Sequence, residues 1–406
     1  MQIKLQNNVY KNFEELQNIR EQWDNFIESI GCEIFLTYDW CRIWWKHYGQ
    51  AKPLRIFVFK DADKIVGILP TYIDNISIGP LCIKAARIVS STFVPAEFSP
   101  PISNEFLKPV YKAWLEHLFL EFNPEIICFG PLAGTFNKTL EFITEFSDMN
   151  DSRYMLEKKE NGVQTIYPLG ISFNEYLEKL SKTEKREMNR HCRNIIKVVN
   201  DNTAEIITET VCDTGLAKAF DDFVQMHMSH WQNEGQGGHF NDWPKSEIFH
   251  REMAEAQLKN GRLRLFKMKV GDVCTGYEYG YKFSDTYFAY LNSRTQAEEF
   301  QRISVGRVHF CELIKKAIGE DVKLINSMRG KYEYKLRMGG KLVPIYSIHM
   351  LRRGAFVRMR ISIFKLMARL INCVYYKIWF SRLAPKLPFQ RKPLWEIWIK
   401  TNVFAH

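Results

Sequence analysis

The 406-residue chain is 46% hydrophobic, 25% charged and 14% aromatic, a composition that excludes a disordered or fibrous polymer and suits two domains of ordinary size. The formal charge of +10 is unevenly placed: residues 351–406 carry twelve Lys and Arg against the single acid Glu396, and the preceding 350 residues carry 44 basic and 45 acidic groups. A neutral body with a basic end argues against a general nucleic-acid binder, which spreads its basic surface over the folded domain.

Nine cysteines lie scattered from Cys32 to Cys373 with no C-x-x-C pair, so metal and dithiol readings lack support and a reducing compartment is expected. The N-terminal MQIKLQNNVYKNFEEL lacks a charged-then-apolar signal pattern, and no stretch approaches the ~18 uncharged apolar residues of a membrane span. The expected location is the cytoplasm.

In chain order, Phe13 to Leu16 opens one helical stretch, and Asp39 is expected to cap another that carries Trp40, Ile43, Trp44 and Tyr48. PLRIFVFK, the polar turn Asp61 to Lys64 and IVGILPTYI read as a hairpin. Pro80, Pro95, Pro100 and Pro101 then interrupt regular structure. Helices are expected at 105–122 and 135–147, with the buried strand EIICFG between them. A second lobe follows with helices at 172–180, 182–200, 214–231 and 244–259. GRLRLFKMKV, VCTGYEYGYKF and TYFAYLNS form an antiparallel meander through turns at Gly271-Asp272 and Ser284-Asp285. A helix from Ser304 to Ile318, the strand VKLINS and the strand KLVPIYSIHM complete it. The expected domains are 1–165, 166–350 and a basic amphipathic tail, 351–406.

Several segments together carry a family likeness. They are Trp23, Phe35 through Trp44-Trp45, Gly67-Ile68-Leu69-Pro70, Tyr176-Leu177, Leu180-Ser181-Lys182, Lys185-Arg186 with Arg190 and Arg193, Gly261 to Leu265, Ser304-Val305-Gly306 and Gly330 to Lys335. In this order they resemble the CelD/BcsL-type GNAT acyltransferases, which are related to the two-lobed FemABX transferases. The likeness covers roughly residues 20–345. It implies tandem GNAT-like α/β lobes with mixed, largely antiparallel sheets, and acyl transfer from acetyl-CoA or another acyl-CoA to an amine or hydroxyl. It points to cell-envelope or exopolysaccharide pathways without naming the acceptor, for which a small molecule or glycan is expected. Two alternatives stay open: a FemABX-like transferase that uses aminoacyl-tRNA, and a non-catalytic assembly factor for a membrane synthase.

A GNAT site must hold the donor's phosphates, polarise its carbonyl, deprotonate the acceptor and protonate the thiolate. Phosphates are expected at the start of the Ser304 helix, where Arg302, Ser304, Gly306 and Arg307 stand; Gly306 is single, position 308 being Val308. Tyr290 and Asn292 lie where the donor is expected to wedge into the sheet. Period-2 alternation sends Glu278 and Gly280 to one face of their strand and Tyr277, Tyr279 and Tyr281 to the other. A carboxylate there is expected to ion-pair or to act as a base. His239, in Gly235 to Asp242, is a second candidate base. The likeness places Lys335, beside Tyr334, near the reacting carbonyl or an acidic group of the acceptor. No metal is expected. Lys182, Arg186, Arg190, Arg193 and Lys197 share about an 80° arc of one helix, a solvated face or an anion site. The tail from Ala355 to about Phe380 pairs basic charge with a broad apolar face. It is read three ways: on an anionic membrane surface at the inner face, packed on the protein's own body, or docked on an acidic carrier protein. No specific nucleic-acid partner is expected, and the pattern names no oligomeric state.

Overall fold

Alternating apolar residues in Leu54–Asp61 and Lys64–Ile78 pair antiparallel from Asp61↔Lys64 to Leu54↔Tyr72, so the expected hairpin forms around its polar turn. The computed structural model describes residues 5–387 except 50, 95, 134–152, 199–204 and 234–237; the expected helix at 135–147 lies outside the described residues. Two compact units divide the chain, 1–162 with 344–406, and 163–343.

The first unit contains β1 (Leu5–Tyr10), α1 (Arg20–Ser29), α2 (Tyr38–Trp44), β2 (Leu54–Asp61), β3 (Lys64–Ile78), β4 (Leu81–Ile88), α3 (Leu107–Glu121) and β5 (Ile126–Ala133). β1 to β4 run antiparallel, and β5 lies parallel to β4 over Ala85–Arg87. Four indoles fill its core, and burial requires each N–H to find an acceptor. Trp23 donates to the Leu36 carbonyl at 2.8 Å, Trp44 to that of Phe93 at 2.7 Å, and Trp114 to the Thr71 hydroxyl at 3.0 Å. The Trp40 indole is also fully buried. Asp39 does not cap α2: Thr37 holds that position, and the buried Asp39 carboxylate pairs with Arg20.

Residues 154–162 of β6 (Tyr154–Pro168) belong to this unit and the remainder of β6 to the second. The second unit continues with α4 (Phe173–Glu178), α5 (Lys182–Val198), β7 (Ile206–Thr210), α6 (Leu216–Asn233), α7 (His239–Asp242) and α8 (Ser246–Lys259). Then come β8 (Leu263–Val270), β9 (Val273–Phe283), β10 (Thr286–Arg294), α9 (Val305–Gly319), β11 (Leu324–Arg329) and α10 (Glu333–Arg337). The order repeats that of the first unit: an antiparallel run β7 to β10, a helix, then a parallel strand, here β11 beside β10. This is the tandem, mixed and largely antiparallel α/β fold expected from the sequence.

β12 (Lys341–Arg352) and α11 (Ala355–Ile371) close the chain's described part, followed by wider helical turns over Asn372–Leu383. β12 pairs with β5 from Ile345↔Ala133 to Leu351↔Ile126, so residues beyond 344 return to the first unit. The tail is therefore no separate segment. Val357, Ile361, Phe364 and Ala368 of α11 are buried against Ile76, Ile83, Ala85 and Ile126, each large side chain contributing about 1.5–3 kcal/mol. Arg360 reaches Glu125 at 3.2 Å and Lys365 reaches Glu157, which fixes the helix on the sheet.

Candidate active site

Side-chain alternation on β9 decides which groups meet. Tyr277 and Tyr279 face α6 and α8, where Phe220, Phe223 and His250 pack on their rings, and Tyr281 meets Tyr279 edge-on on the same face. Glu278 takes the other face with Gly276 and Gly280, toward α9. A Cβ on Gly276 would lie 2.4 Å from the His309 ring, so the absent side chain lets α9 approach the strand.

Glu278 is buried and makes no hydrogen bond among the described residues; its charged-group neighbour is His309, whose Nδ1 lies 4.0 Å from Oε1. Burial pushes the carboxyl up to about 8 against a smaller opposing effect of Arg294. His309 is buried and held down to about 3 by burial and then by Arg294, so its ring is neutral. The tautomer follows from its other side. Thr275 Oγ1 donates to the Met268 carbonyl at 3.2 Å, so its oxygen accepts from His309 Nε2–H at 2.9 Å. The lone pair of Nδ1 is thus left facing Glu278.

Arg294 ends β10, and its Nη1 would sit 3.1 Å from a Cβ built on Gly306 at the first turn of α9. A guanidinium therefore stands at a helix N-terminus, in electrostatic reach of Glu278; composition gave no sign of it because β9, β10 and α9 must fold before the three meet. Arg302 and Ser304 are exposed beside it. Arg307 turns aside, its guanidinium 3.6 Å from Glu184 on α5. Asn292 pairs with Glu278 across the ladder and is exposed.

β10 carries an irregularity between Ala289 and Leu291, which leaves Tyr290 outside the ladder to β9. Its parallel pairing with β11 covers only Thr286–Phe288, after which the two strands separate. A bulge and a splay thus coincide on one strand. Tyr290 turns its ring to His250, with centroids 5.3 Å apart, on the tyrosine face.

Of the four expected catalytic groups, Glu278, His239, Lys335 and Tyr334, His239 and Lys335 are engaged with partners of their own. His239 is half-buried on the α6 side, where a second tautomer chain is fixed. His227 Nδ1–H donates to the Asn292 carbonyl at 2.6 Å, so His227 Nε2 accepts from His239 Nδ1–H at 3.0 Å, leaving the His239 Nε2 lone pair unprotonated. Burial holds His239 down to about 4. Lys335 is buried on α10, and its ammonium donates to the carbonyls of Ser327 at 2.6 Å and Arg329 at 3.3 Å. It clasps the end of β11. Lys335→Met is expected to lower stability by about 1–3 kcal/mol by stranding those carbonyls. Calorimetry measures that loss, and activity per folded molecule separates it from a catalytic one. Tyr334 is 58% exposed and stacks on Tyr332; its hydroxyl is held above the usual range by the partial burial of that stack, then by Tyr332 and Glu278. Among the expected catalytic residues, Tyr334 is thus the one that feels the charge of Glu278.

On α5, Lys182, Lys185, Arg186, Asn189 and Arg193 line an open groove with Cys192. Lys182, Lys185 and Arg186 are exposed and have no acidic partner among the described residues.

Residues 190–336 match the acetyltransferase (GNAT) domain family. Among solved structures, FemX superposes with a TM-score of 0.55 and 10% identity, over 81% of this chain and 95% of its own. A conserved protein of unknown function from Bacteroides thetaiotaomicron VPI-5482 gives 0.52 and 12%, over 82% and 97%. These are likenesses of fold. No curated protein matches the chain in sequence. The matched segment contains Glu278, Arg294, Gly306, His309 and Tyr334, and the chain is an enzyme of the GNAT acyltransferase type.

Proposed function

We propose that the second unit moves an acyl group, acetyl first among candidates, from acyl-CoA to an amine or hydroxyl, with Glu278 as general base. The observation that carries this reading is the buried Glu278 carboxyl, 4.0 Å from the fixed lone pair of His309. A base with a pKa near working pH abstracts a proton most effectively. In the proposed step the acceptor's N–H or O–H proton passes to Glu278 as its nitrogen or oxygen attacks the thioester carbonyl. The C–S bond then breaks, and the departing sulfur takes a proton from Tyr334. The raised pKa of Tyr334 suits a group that must hold its proton until then.

The donor in this reading lies in the splay of β10 from β11, its phosphates on the N–H groups of α9 with Arg294, Arg302 and Ser304. Backbone freed by the bulge at Tyr290 offers a donor to the thioester oxygen. Asn292 lines the acceptor side, Arg307 adds charge from its pair with Glu184, and Lys335 positions the segment that bears Tyr334. His239 serves a face away from Glu278 and takes no proton in this scheme. Cytoplasmic placement and a small-molecule or glycan acceptor of envelope or exopolysaccharide synthesis, as in the CelD/BcsL-type family, belong to the same reading.

The unpaired Lys182, Lys185 and Arg186 favour a second reading, in which an aminoacyl ester arrives on tRNA and these cations meet its phosphates. Thermal melting separates the two. Acetyl-CoA or a longer acyl-CoA is expected to raise the Tm, by about 2.7 kcal/mol of stabilisation at a hundredfold excess over Kd. Gly306→Glu is expected to abolish the shift by placing bulk and negative charge at the phosphate seat. No shift with any acyl-CoA, together with binding of charged tRNA, would support the second reading. Binding of acyl-CoA without thiol release would support a non-catalytic assembly factor.

A further inference from the structure

The face of α11 opposite the sheet is unusual for a packed helix. At 100° per residue, Phe356, Met359, Ile363, Leu366 and Leu370 fall within about 80° of one another, and Val374 extends the stripe into the following turns. They are exposed, Phe356 by 64%, Leu366 by 57%, Leu370 by 56% and Val374 by 60%. The buried stripe of Val357, Ile361, Phe364 and Ala368 lies well round the helix from them, so the exposed arc does nothing for the core. The exposed Arg358 and Arg369 flank it on one side; Arg360, on the other, turns to Glu125. Between 355 and 387 there are seven Lys and Arg and no Asp or Glu, and of the seven Arg360 and Lys365 are paired with Glu125 and Glu157 on the sheet. Trp379 and Leu383 are exposed further along.

We propose that α11 and the turns after it are a docking surface for an anionic lipid bilayer, on which this helix lies in the plane of the headgroups. An apolar arc bordered by cations, with interfacial aromatics, matches a negatively charged surface over hydrocarbon. A protein partner is a poorer match, because the arc offers no hydrogen-bonding side chain for the polar contacts that accompany such interfaces. No helix of the described residues is long and apolar enough to cross a membrane, so the contact is superficial. The inference stands on the first unit alone, and its failure leaves acyl transfer by the second untouched.

The test is flotation of the full chain with vesicles of phosphatidylcholine, with and without a third of phosphatidylglycerol. The expected result is capture by the anionic vesicles at low salt and at least about tenfold less without the anionic lipid or at high salt. Leu366→Glu with Leu370→Glu is expected to cut capture at least about tenfold by placing charge in the apolar arc, with an unchanged Tm because both sites are exposed. A chain ending at 387 is expected to float as the full chain does. Absence of capture by anionic vesicles, or equal capture of the double variant, overturns the proposal. So does capture that appears only in the chain ending at 387, which would mean that the last residues cover the arc. A dimer that the double variant dissolves, without vesicle capture by either, assigns the arc to a second copy and overturns it as well.

Discussion

Glu278→Gln is expected to lower kcat/KM about 100- to 10,000-fold, the usual loss when a working general base is removed. Burial holds the carboxyl up to about 8, and a base acts only when deprotonated, so kcat/KM of the parent should rise with pH and level off above that value. Gln has the same shape and no titration, so the inflection should vanish with it. Stability moves the opposite way. The folded pKa is raised above the unfolded value of 4.5, so the folded state holds the proton more tightly between pH 4.5 and 8. The contribution is present at low pH and is lost as pH rises through the folded pKa, on the order of a few kcal/mol. The variant should therefore match the parent near pH 5 and exceed its Tm near pH 9. A structural carboxylate would give the stability result without the kinetic one. Glu33, buried in the first unit and pushed up to about 7, adds a slope of the same sign that the variant leaves intact.

The second large effect is expected at Gly276. A Cβ there would meet the Ser293 carbonyl oxygen at 2.2 Å and the His309 ring at 2.4 Å. The first contact is ladder backbone and cannot swing away. Gly276→Ala should push α9 from β9 and carry His309 away from Glu278. A destabilisation of about 1–3 kcal/mol is expected from the overpacking. A shift of the catalytic groups by about an ångström should cost about 100-fold in rate beyond the loss of folded protein. Denaturant unfolding and single-turnover rates measure the two parts separately. Ordinary activity per folded molecule would show that the Glu278–His309 geometry is irrelevant to turnover.

The sequence was most legible where local pattern and tertiary structure agree. Both turns of the second meander, Gly271-Asp272 and Ser284-Asp285, separate runs that are strands in the fold. β4 is hidden in the sequence because Gly79 and Pro80 form a turn between two strands, and a proline there has the look of a break in regular structure. β6 carries Glu157 to Asn161 at its centre, and β7 is short and largely exposed, so neither shows the apolar alternation of a half-buried strand. The last strand reads as a strand from sequence, but its pairing with β5 joins residues 345–351 to 126–133, and no local signal reports such a partner.

The candidate site divides in the same way. Alternation on β9 places Glu278 correctly against the tyrosines, and Gly306 does stand at a helix start. What alternation cannot give is the company each group keeps. Arg294 meets Gly306, His309 is oriented by Thr275, and Lys335 spends its ammonium on two carbonyls of its own chain. Each depends on segments distant in sequence or on a side chain's direction after folding. Tail amphipathicity was legible, but not that one apolar stripe packs on the first unit while another faces outward.

In the proposed function Glu278 serves acyl transfer from a thioester in the second unit. Release of free thiol from acyl-CoA, followed in the presence of amine and hydroxyl acceptors, tests it most directly. Acceptor-dependent release by the parent chain is expected, with an inflection near pH 8, and a rate about 100- to 10,000-fold lower for Glu278→Gln. Equal rates for parent and variant, or no thiol release by the parent with any acceptor while charged tRNA supports transfer, would contradict it.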